Sequence, residues 1–212
     1  MTQTIFIQGN TFILHPSGCI FWKEKRMLLI ADVHLGKVTH FRKAGLAVPP
    51  DSVMGNFKQM NAVISYFEAE SICFLGDLFH SEINKEWDLF SEWVNSISVK
   101  IILIAGNHDI ISPKKYTEIN VPVYSEWVID GFLLTHHPED REGLFNFSGH
   151  IHPGIRLRGS GRQWMKLPCF FKKENQLILP AFGDFTGTYL MIPTKNDCVY
   201  AVTKDEVILI CD

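Results

Sequence analysis

Several features of secreted and membrane proteins are missing from this 212-residue sequence. It has no run of 18 or more apolar residues, so no membrane-spanning helix and no membrane partner are predicted. Residues 1–10 lack the basic and apolar segments of a secretory signal, and we therefore expect an intracellular, cytoplasmic protein. The five cysteines are odd in number and never spaced C-x-x-C, which argues against a disulfide framework and a structural zinc knuckle.

An overall positive charge, which would suggest a nucleic-acid partner, is also missing, since the net charge is −3 at pH 7. The basic residues are clustered instead. Residues 33–50 and 153–173 together contain nine Lys or Arg residues and no Asp or Glu. These two segments are the places where we expect phosphate groups to bind.

Internal repeats, low-complexity tracts and long linkers are absent as well. With 46% apolar residues the chain can bury a substantial core. We therefore predict a single domain covering residues 1–212.

In the first half of the chain, the hydrophobic pattern predicts a short meander followed by alternating strands and helices. Residues 4–7, 11–14 and 19–22 are β-favouring runs separated by turn signals. Buried strands are predicted at residues 27–31, 71–75 and 100–105, and apolar residues recur at helical spacing from Val53 to Phe67 and from Trp87 to Ile97. This order predicts parallel strands whose C-terminal ends share one edge of a sheet.

Beyond residue 115 the helical period disappears. Strands are predicted at residues 121–124, 126–129, 132–135, 145–148, 176–179, 188–192, 199–202 and 207–211. A second, mainly antiparallel sheet packed on the first accommodates them.

Four motifs rich in metal-ligand residues follow apolar runs: A-D-V-H at residues 31–34, G-D at 76–77, G-N-H-D at 106–109 and G-H-I-H at 149–152. In extended backbone, the side chains of residues two apart point the same way. Asp32 and His34 could therefore bind a metal ion from one side, and so could His150 and His152. A lone D-x-H occurs often by chance, and a strand-end Asp or His is commonly a hydrogen-bonded structural residue. All four motifs in this order predict a two-metal phosphoesterase site.

These motifs, with a strand-end histidine, resemble those of the calcineurin-like metallophosphoesterase superfamily over roughly residues 28–152. A-D-V-H-L-G-K, G-D-L-F-H and G-H-I-H-P are closer to its nuclease branch than to its protein phosphatases. The segment 31–49 and the motif P-A-F-G-D-F-T-G at residues 180–187 resemble the PdeM family of ligase-associated DNA-damage-response endonucleases. The resemblance implies an α/β (α+β) metallophosphoesterase fold, with two packed mixed sheets flanked by helices in a four-layer αββα sandwich.

The superfamily pattern implies two divalent metal ions bridged by Asp77. The expected ligands are Asp32, His34, Asp77 and His152 for one ion, and Asp77, Asn107, His136 and His150 for the other. In the T-H-H-P segment either His136 or His137 could be the ligand, and the strand-end position favours His136. Imidazoles combined with Asp and Asn oxygens favour Mn, Fe or Zn, and we expect Mn²⁺.

Two metal ions about 3.5–4 Å apart can bind the attacking water and the phosphoryl oxygens, so no protein nucleophile is needed. His108 resembles the family's non-ligand histidine, which acts on the leaving oxygen, with Asp109 as the acceptor that orients it. The alternative for His108 is a structural turn histidine. The predicted substrate contacts are Lys37, Arg42, Arg156, Arg158 and His137, with Arg162 as a further basic candidate and Trp164, Phe170 and Phe171 as candidates for base stacking. A solvated charged face or core aromatic residues are the alternatives.

The resemblance implies a metal-dependent phosphodiesterase, a DNA endonuclease that acts beside DNA ligase and helicase proteins in repair. One alternative is hydrolysis of a small phosphodiester, such as a cyclic nucleotide or nucleotide pyrophosphate, because the short chain leaves little room for a DNA-recognition domain. Another is a non-catalytic metal-binding scaffold in a repair complex. A homodimer is expected only by analogy with dimeric nucleases of this branch.

Overall fold

A computed structural model describes residues 1–37, 52–80, 83–159, 161, 163–183 and 186–210. The predicted substrate contact Arg42 and the neighbouring candidate Arg162 lie outside these ranges. None of the described helices is long and apolar enough to cross a membrane.

The first sheet has seven strands in the order β1 to β7, with β1 to β4 antiparallel and β4 to β7 parallel. It comprises β1 (Gln3–Ile7), β2 (Asn10–Leu14), β3 (Ile20–Trp22), β4 (Met27–Ile30), β5 (Ser71–Leu75), β6 (Lys100–Ile104) and β7 (Val123–Tyr124). A short 3-10 turn, Lys23–Lys25, joins β3 to β4. The predicted meander and the parallel β4–β5–β6 unit are both confirmed.

Within the described ranges, three helices connect the parallel strands: α1 (Ser52–Phe67), α2 (Lys85–Ser96) and α3 (Pro113–Glu118). Helix α2 begins at Asn84, whose side chain accepts a hydrogen bond from the Glu86 N–H and so satisfies one of the free donors of the first turn. Apolar side chains of α1 and α2, such as Phe57 and Phe90, pack on the outer face of the first sheet. This burial explains why both helices could be predicted from their periodicity.

The second sheet has nine strands in the order β14-β11-β12-β13-β10-β9-β8, and β15 pairs with both β12 and β16. The strands are β8 (Trp127–Ile129), β9 (Phe132–Leu134), β10 (Phe145–Ser148), β11 (Pro153–Arg158), β12 (Trp164–Lys172), β13 (Gln176–Ile178), β14 (Tyr189–Leu190), β15 (Cys198–Val202) and β16 (Val207–Ile210). The central β9, β10 and β13 are parallel to one another, which the prediction of a mainly antiparallel sheet did not anticipate. The β11–β12 hairpin was not predicted either.

The main core lies between the two sheets. Phe12 and Trp22 of the first sheet contact Phe132 of the second, with ring centroids 5.3 and 4.8 Å apart. The prediction of two packed mixed sheets is confirmed. The described helices cover only the first sheet, so the helical layer expected on the outer face of the second sheet is not found among the described residues.

Candidate metal centre

The predicted metal ligands meet at one edge of the sandwich. Asp32 and Asp77 come two residues after the ends of β4 and β5, and Asn107 follows β6. His136 comes two residues after β9, and His150 and His152 follow β10. The first sheet thus presents its C-terminal edge directly to loops of the second sheet, as expected for a site at the carboxyl ends of parallel strands.

One group of donors consists of Asp32, His34 and His152, whose ligand atoms all lie within 4.8 Å of one another. The two imidazole Nε2 atoms are 3.4 Å apart, and His152 Nε2 is 3.2 Å from Asp32 Oδ1. Two ligand atoms at about 2.1 Å from one metal ion lie about 3.0–3.4 Å apart. These separations therefore suit a shared metal ion.

A second group surrounds His136. Its Nε2 is 3.0 Å from Asn107 Oδ1, 3.4 Å from Asp77 Oδ1 and 3.2 Å from His150 Nδ1. Ligand atoms of Asp32, Asp77 and His136 also lie within 4.8 Å of one another, so the two groups adjoin. This arrangement places Asp77 where the predicted bridging ligand would stand.

Backbone carbonyls fix the orientation of two of the imidazoles. His136 Nδ1 is 2.9 Å from the Leu75 carbonyl oxygen, and His152 Nδ1 is 3.2 Å from the Gly187 carbonyl oxygen. Since a carbonyl can only accept, each Nδ1 is the donor, which leaves Nε2 directed toward the other candidate ligands. Metal-ligating histidines are commonly held in this way.

The donor chemistry therefore fits divalent metal ions. The lone pair of His152 Nε2 faces an Asp32 carboxylate oxygen that is buried and accepts no hydrogen bond. Two facing lone pairs repel unless a cation or a proton lies between them. His136 Nε2 likewise lies 3.0 Å from an Asn107 oxygen and 3.4 Å from an Asp77 oxygen, and either a proton or a cation can join it to them.

The charges of the buried groups support ligation. Burial lowers the pKa of His34 to about 3, so its imidazole is neutral and available as a ligand at pH 7. Burial alone would raise the pKa of Asp77, but hydrogen bonds from His136 and the His108 N–H lower it to about 2. Asp77 is therefore a carboxylate at every pH at which the enzyme would work.

Five of the predicted ligands adopt a left-handed backbone conformation. The φ angles are 56° at Asp32, 53° at His34, 49° at Asp77, 70° at His150 and 52° at His152. The expectation that these side chains converge because they sit on extended backbone is therefore wrong. They converge because each loop turns sharply at the ligand itself, a conformation uncommon outside glycine.

Glycines beside the ligands allow the loops to approach one another. A Cβ on Gly149 would lie 2.5 Å from Asp32 Oδ2, and one on Gly106 would lie 2.3 Å from Asp77 Oδ1. A Cβ on Gly76 would lie 2.2 Å from His136 Nδ1. The glycines of the G-D, G-N-H-D and G-H-I-H motifs are thus required by close packing around the carboxylates and the His136 ring.

His108 is exposed beside the metal ligands. Its backbone N–H donates to Asp77 Oδ1 at 2.9 Å, and its ring centroid lies 4.7 Å from His80 and 5.9 Å from His34. It is in none of the ligand groups found in the described part of the chain. This position agrees with its predicted non-ligand role.

The expectation that Asp109 orients the His108 ring is wrong. Its two carboxylate oxygens accept hydrogen bonds from the backbone N–H groups of Phe79 and Gly106, at 3.0 and 2.8 Å. Asp109 therefore ties the loop after β5 to the loop after β6. Burial raises the pKa of this carboxyl group.

The other predicted substrate contacts lie on three different parts of the structure. The exposed His137 ring packs on His150, with centroids 3.9 Å apart, and His136, His137 and His150 form a third group whose ligand atoms lie within 4.8 Å of one another. His136 is buried and also adjoins Asp77, which favours His136 as the ligand. Lys37 follows the Asp32 loop; burial lowers its pKa while the charge of Asp32 raises it. Arg156 and Arg158 are exposed on β11.

Of the stacking candidates, only Trp164 is available. Its side chain is 61% exposed, whereas Phe170 and Phe171 are buried core residues.

The late motif at residues 180–187 contacts the Asp32 loop. The Phe182 N–H donates to the Ala31 carbonyl at 2.9 Å, and the Gly183 N–H donates to the Asp32 carbonyl at 3.3 Å. Phe182 is buried in the core cluster under the first sheet's helices. Sequence analysis connected this motif to the family resemblance but assigned it no contact in the site. Its backbone contacts carry no signal in the sequence.

Comparisons with known proteins agree with this geometry. Residues 25–173 match the calcineurin-like phosphoesterase family. The crystal structure of the nuclease MPE from Pseudomonas putida is 27% identical to the chain, with a TM-score of 0.84, and the match covers 99% of this chain and 100% of that one. The structure of Yfce, a phosphoesterase from E. coli, is 12% identical with a TM-score of 0.47, covering 86% of this chain and 96% of that one.

No curated protein sequence matches the chain significantly. The family match alone covers well over half of the residues, and it includes every motif that supplies a candidate ligand. The chain belongs to the calcineurin-like phosphoesterase family and is a hydrolase that acts on phosphoesters.

Proposed function

We propose that this protein is a metal-dependent phosphodiesterase that cleaves DNA as an endonuclease. The observation that carries the proposal is the pair of adjoining donor groups, in which imidazole nitrogens lie 3.0–3.4 Å from carboxylate and amide oxygens. Such an arrangement suits two neighbouring divalent ions. The similarity to a nuclease over the full length of both chains supports a polynucleotide substrate.

In this proposal Asp32, His34, Asp77 and His152 hold one metal ion, and Asp77, Asn107, His136 and His150 hold the other. When bound, two such ions supply an activated water and neutralise the phosphoryl oxygens. The mixture of imidazole, carboxylate and amide ligands suits Mn²⁺ better than Mg²⁺ or Ca²⁺.

Two further side chains are proposed to act on the substrate. His108 is exposed beside the ligands, where it could donate a hydrogen bond to the phosphoryl group or to the leaving oxygen. Lys37 lies close enough to Asp32 for their charges to interact, so its ammonium group could bind a phosphate next to the cleaved one. His137 would cover one side of His150.

The test is Mn²⁺-dependent hydrolysis of bis-p-nitrophenyl phosphate, p-nitrophenyl phosphate, a cyclic nucleotide and a labelled single-stranded DNA. Asp77→Asn should abolish cleavage, while Asp88→Asn, on the exposed face of α2, serves as the matched control and should retain it. Internal cleavage of DNA that depends on Asp77 would support the endonuclease. Activity confined to small diesters would replace it with the alternative of a small-molecule phosphodiesterase.

A metal-loaded protein that hydrolyses none of these substrates would instead favour the non-catalytic scaffold. Four statements stay predictions: the action beside DNA ligase and helicase proteins in repair, the homodimer, the cytoplasmic location and the single domain over residues 1–212. Co-purification with these repair proteins and the mass of the protein in solution would test the first two.

A further inference from the structure

We propose that the β11–β12 hairpin is a binding arm for an unpaired DNA strand, which it holds beside the metal centre. The inference rests on the proposed function but concerns residues outside the candidate metal ligands. The binding arm is the face of the hairpin formed by Arg156, Arg158, Trp164 and Lys166.

The hairpin has two chemically different faces. Arg156 is directly opposite Lys166, and Arg158 is directly opposite Trp164, so these four side chains share one face. The alternate residues Ile155, Leu157 and Leu167 pack in an apolar cluster on the other face. The basic residues are thus concentrated on one face of an ordered strand pair, which favours a binding surface over the alternative of a solvated charged face.

Trp164 is the unusual member of the binding arm. Its side chain is 61% exposed, and the Arg158 guanidinium carbon lies 5.8 Å from the centroid of its ring. An exposed indole beside a guanidinium group offers a flat surface on which a base can stack and a positive charge for the adjoining phosphate. Neither Arg156 nor Arg158 forms an ion pair with an acid in the described part of the chain.

The hairpin that carries the binding arm begins next to the candidate metal ligands. Strand β11 starts at Pro153, the residue after the candidate ligand His152. Lys166 donates to the Thr188 carbonyl, and the preceding carbonyl, that of Gly187, accepts from His152 Nδ1. A cavity of about 220 Å³ lies beside the late motif and the turn at residues 16–18, and Pro168 of the hairpin forms part of its wall.

The geometry favours a single strand as the occupant. From His152 to Arg158 the strand extends about 20 Å, enough to contact several nucleotides of one DNA strand. In a duplex the faces of the bases are already stacked on their neighbours, so the Trp164 ring could bind only an unpaired base. The basic residues contact phosphates and require no particular sequence.

The binding arm is tested by measuring how tightly the full chain binds fluorescein-labelled dT18. Fluorescence anisotropy reports the binding, and EDTA prevents cleavage. Trp164→Leu should weaken binding by about 5- to 150-fold, the range for the loss of one stacked base, and Trp164→Phe should restore most of it. In Arg156→Gln/Arg158→Gln, the slope of log Kd against log salt concentration should fall by about 1.4, since each lost phosphate contact contributes about 0.7.

Met165→Ala is the matched control, because Met165 is 59% exposed on the same hairpin but on the opposite face. It should bind dT18 like the wild type. The wild type should also bind dT18 more tightly than dT4, and more tightly than dT18 annealed to dA18.

Equal binding by Trp164→Leu and wild type, equal binding of single strand and duplex, or no binding of dT18 by the wild type would each overturn the binding arm. Because this readout needs no cleavage, it is independent of the hydrolysis assay. DNA binding without hydrolysis would refute the proposed function alone, and hydrolysis of DNA unaffected by Trp164 would refute the arm alone.

Discussion

Replacement of Gly183 by alanine would test whether the late motif holds the Asp32 loop in place. A Cβ at this position would lie 2.3 Å from the Val33 carbonyl oxygen, whereas ordinary contact begins at 3.4 Å. One of the two backbones must therefore move by about 1 Å, a displacement that can reduce turnover in a positioned site about 100-fold. Gly183 does not have a left-handed φ angle, so the contact, not the conformation of alanine, produces the effect.

We expect Gly183→Ala to fold, with a stability lower by about 1–3 kcal/mol, as is typical of overpacked sites. The displaced Asp32 loop carries two candidate ligands, so Mn²⁺ affinity should fall together with turnover. Calorimetric titration with Mn²⁺ and the kcat for bis-p-nitrophenyl phosphate measure the two effects separately, and urea unfolding measures the stability.

Gly187→Ala is the control within the same motif, because a Cβ there would meet nothing within 4 Å. It should behave like the wild type in all three measurements. If Gly183→Ala bound Mn²⁺ with wild-type affinity and turned over at the wild-type rate, the late motif would not position the metal loop, and the contacts at residues 182 and 183 would be only structural.

Three further predictions concern the site and the rest of the chain. His108→Ala should still bind two metal ions, as measured by metal analysis, but its turnover should fall about 100-fold or more. Asp77→Asn should instead lose affinity at both metal sites. Equal metal loss in the two variants would refute the non-ligand position of His108. Burial lowers the pKa of His15, so the unfolded chain binds more protons and stability should fall as the pH drops below the ordinary value of 6.5. Urea unfolding at pH 7.5 and 5.5 should show a smaller difference for His15→Gln, and an unchanged difference would contradict this reasoning. Burial raises the pKa of the Cys19 thiol to about 12, so iodoacetamide at pH 8 should modify the half-exposed Cys198 before Cys19, as judged by mass spectrometry of the native protein.

Periodic patterns made the first sheet and its helices predictable. Phe57 and Phe90 are buried because their helices pack on the sheet, and the same burial produces the helical spacing in the sequence. The β11–β12 hairpin was missed although Ile155 and Leu157 alternate with two arginines, the pattern of a half-buried strand. The glycines and basic residues around it indicated a loop more strongly than this alternation indicated a strand.

The composition of the candidate site was predictable because strand-end motifs are local. Asp32, Asp77 and His136 each come two residues after a buried strand, and the topology alone brings these positions to one edge. The contacts of Asp109 could not be predicted, since one of its partners is a backbone N–H of a different loop. Chain spacing carries no information about such a partner.

The backbone conformation of the ligands was beyond sequence reasoning for a further reason. A left-handed φ angle at a residue other than glycine costs about 1–3 kcal/mol, so local preference argues against it at Asp32, His34 and Asp77. It persists because the two loops are joined by backbone hydrogen bonds, from the His34 N–H to the Asp77 carbonyl at 3.0 Å and from the Leu35 N–H to the Leu78 carbonyl at 2.8 Å. The fold thus joins the ligand-bearing loops to each other through their backbones. A site prepared in this way loses little conformational entropy on binding the metal, which is why we expect loop-displacing changes such as Gly183→Ala to affect metal affinity more than stability.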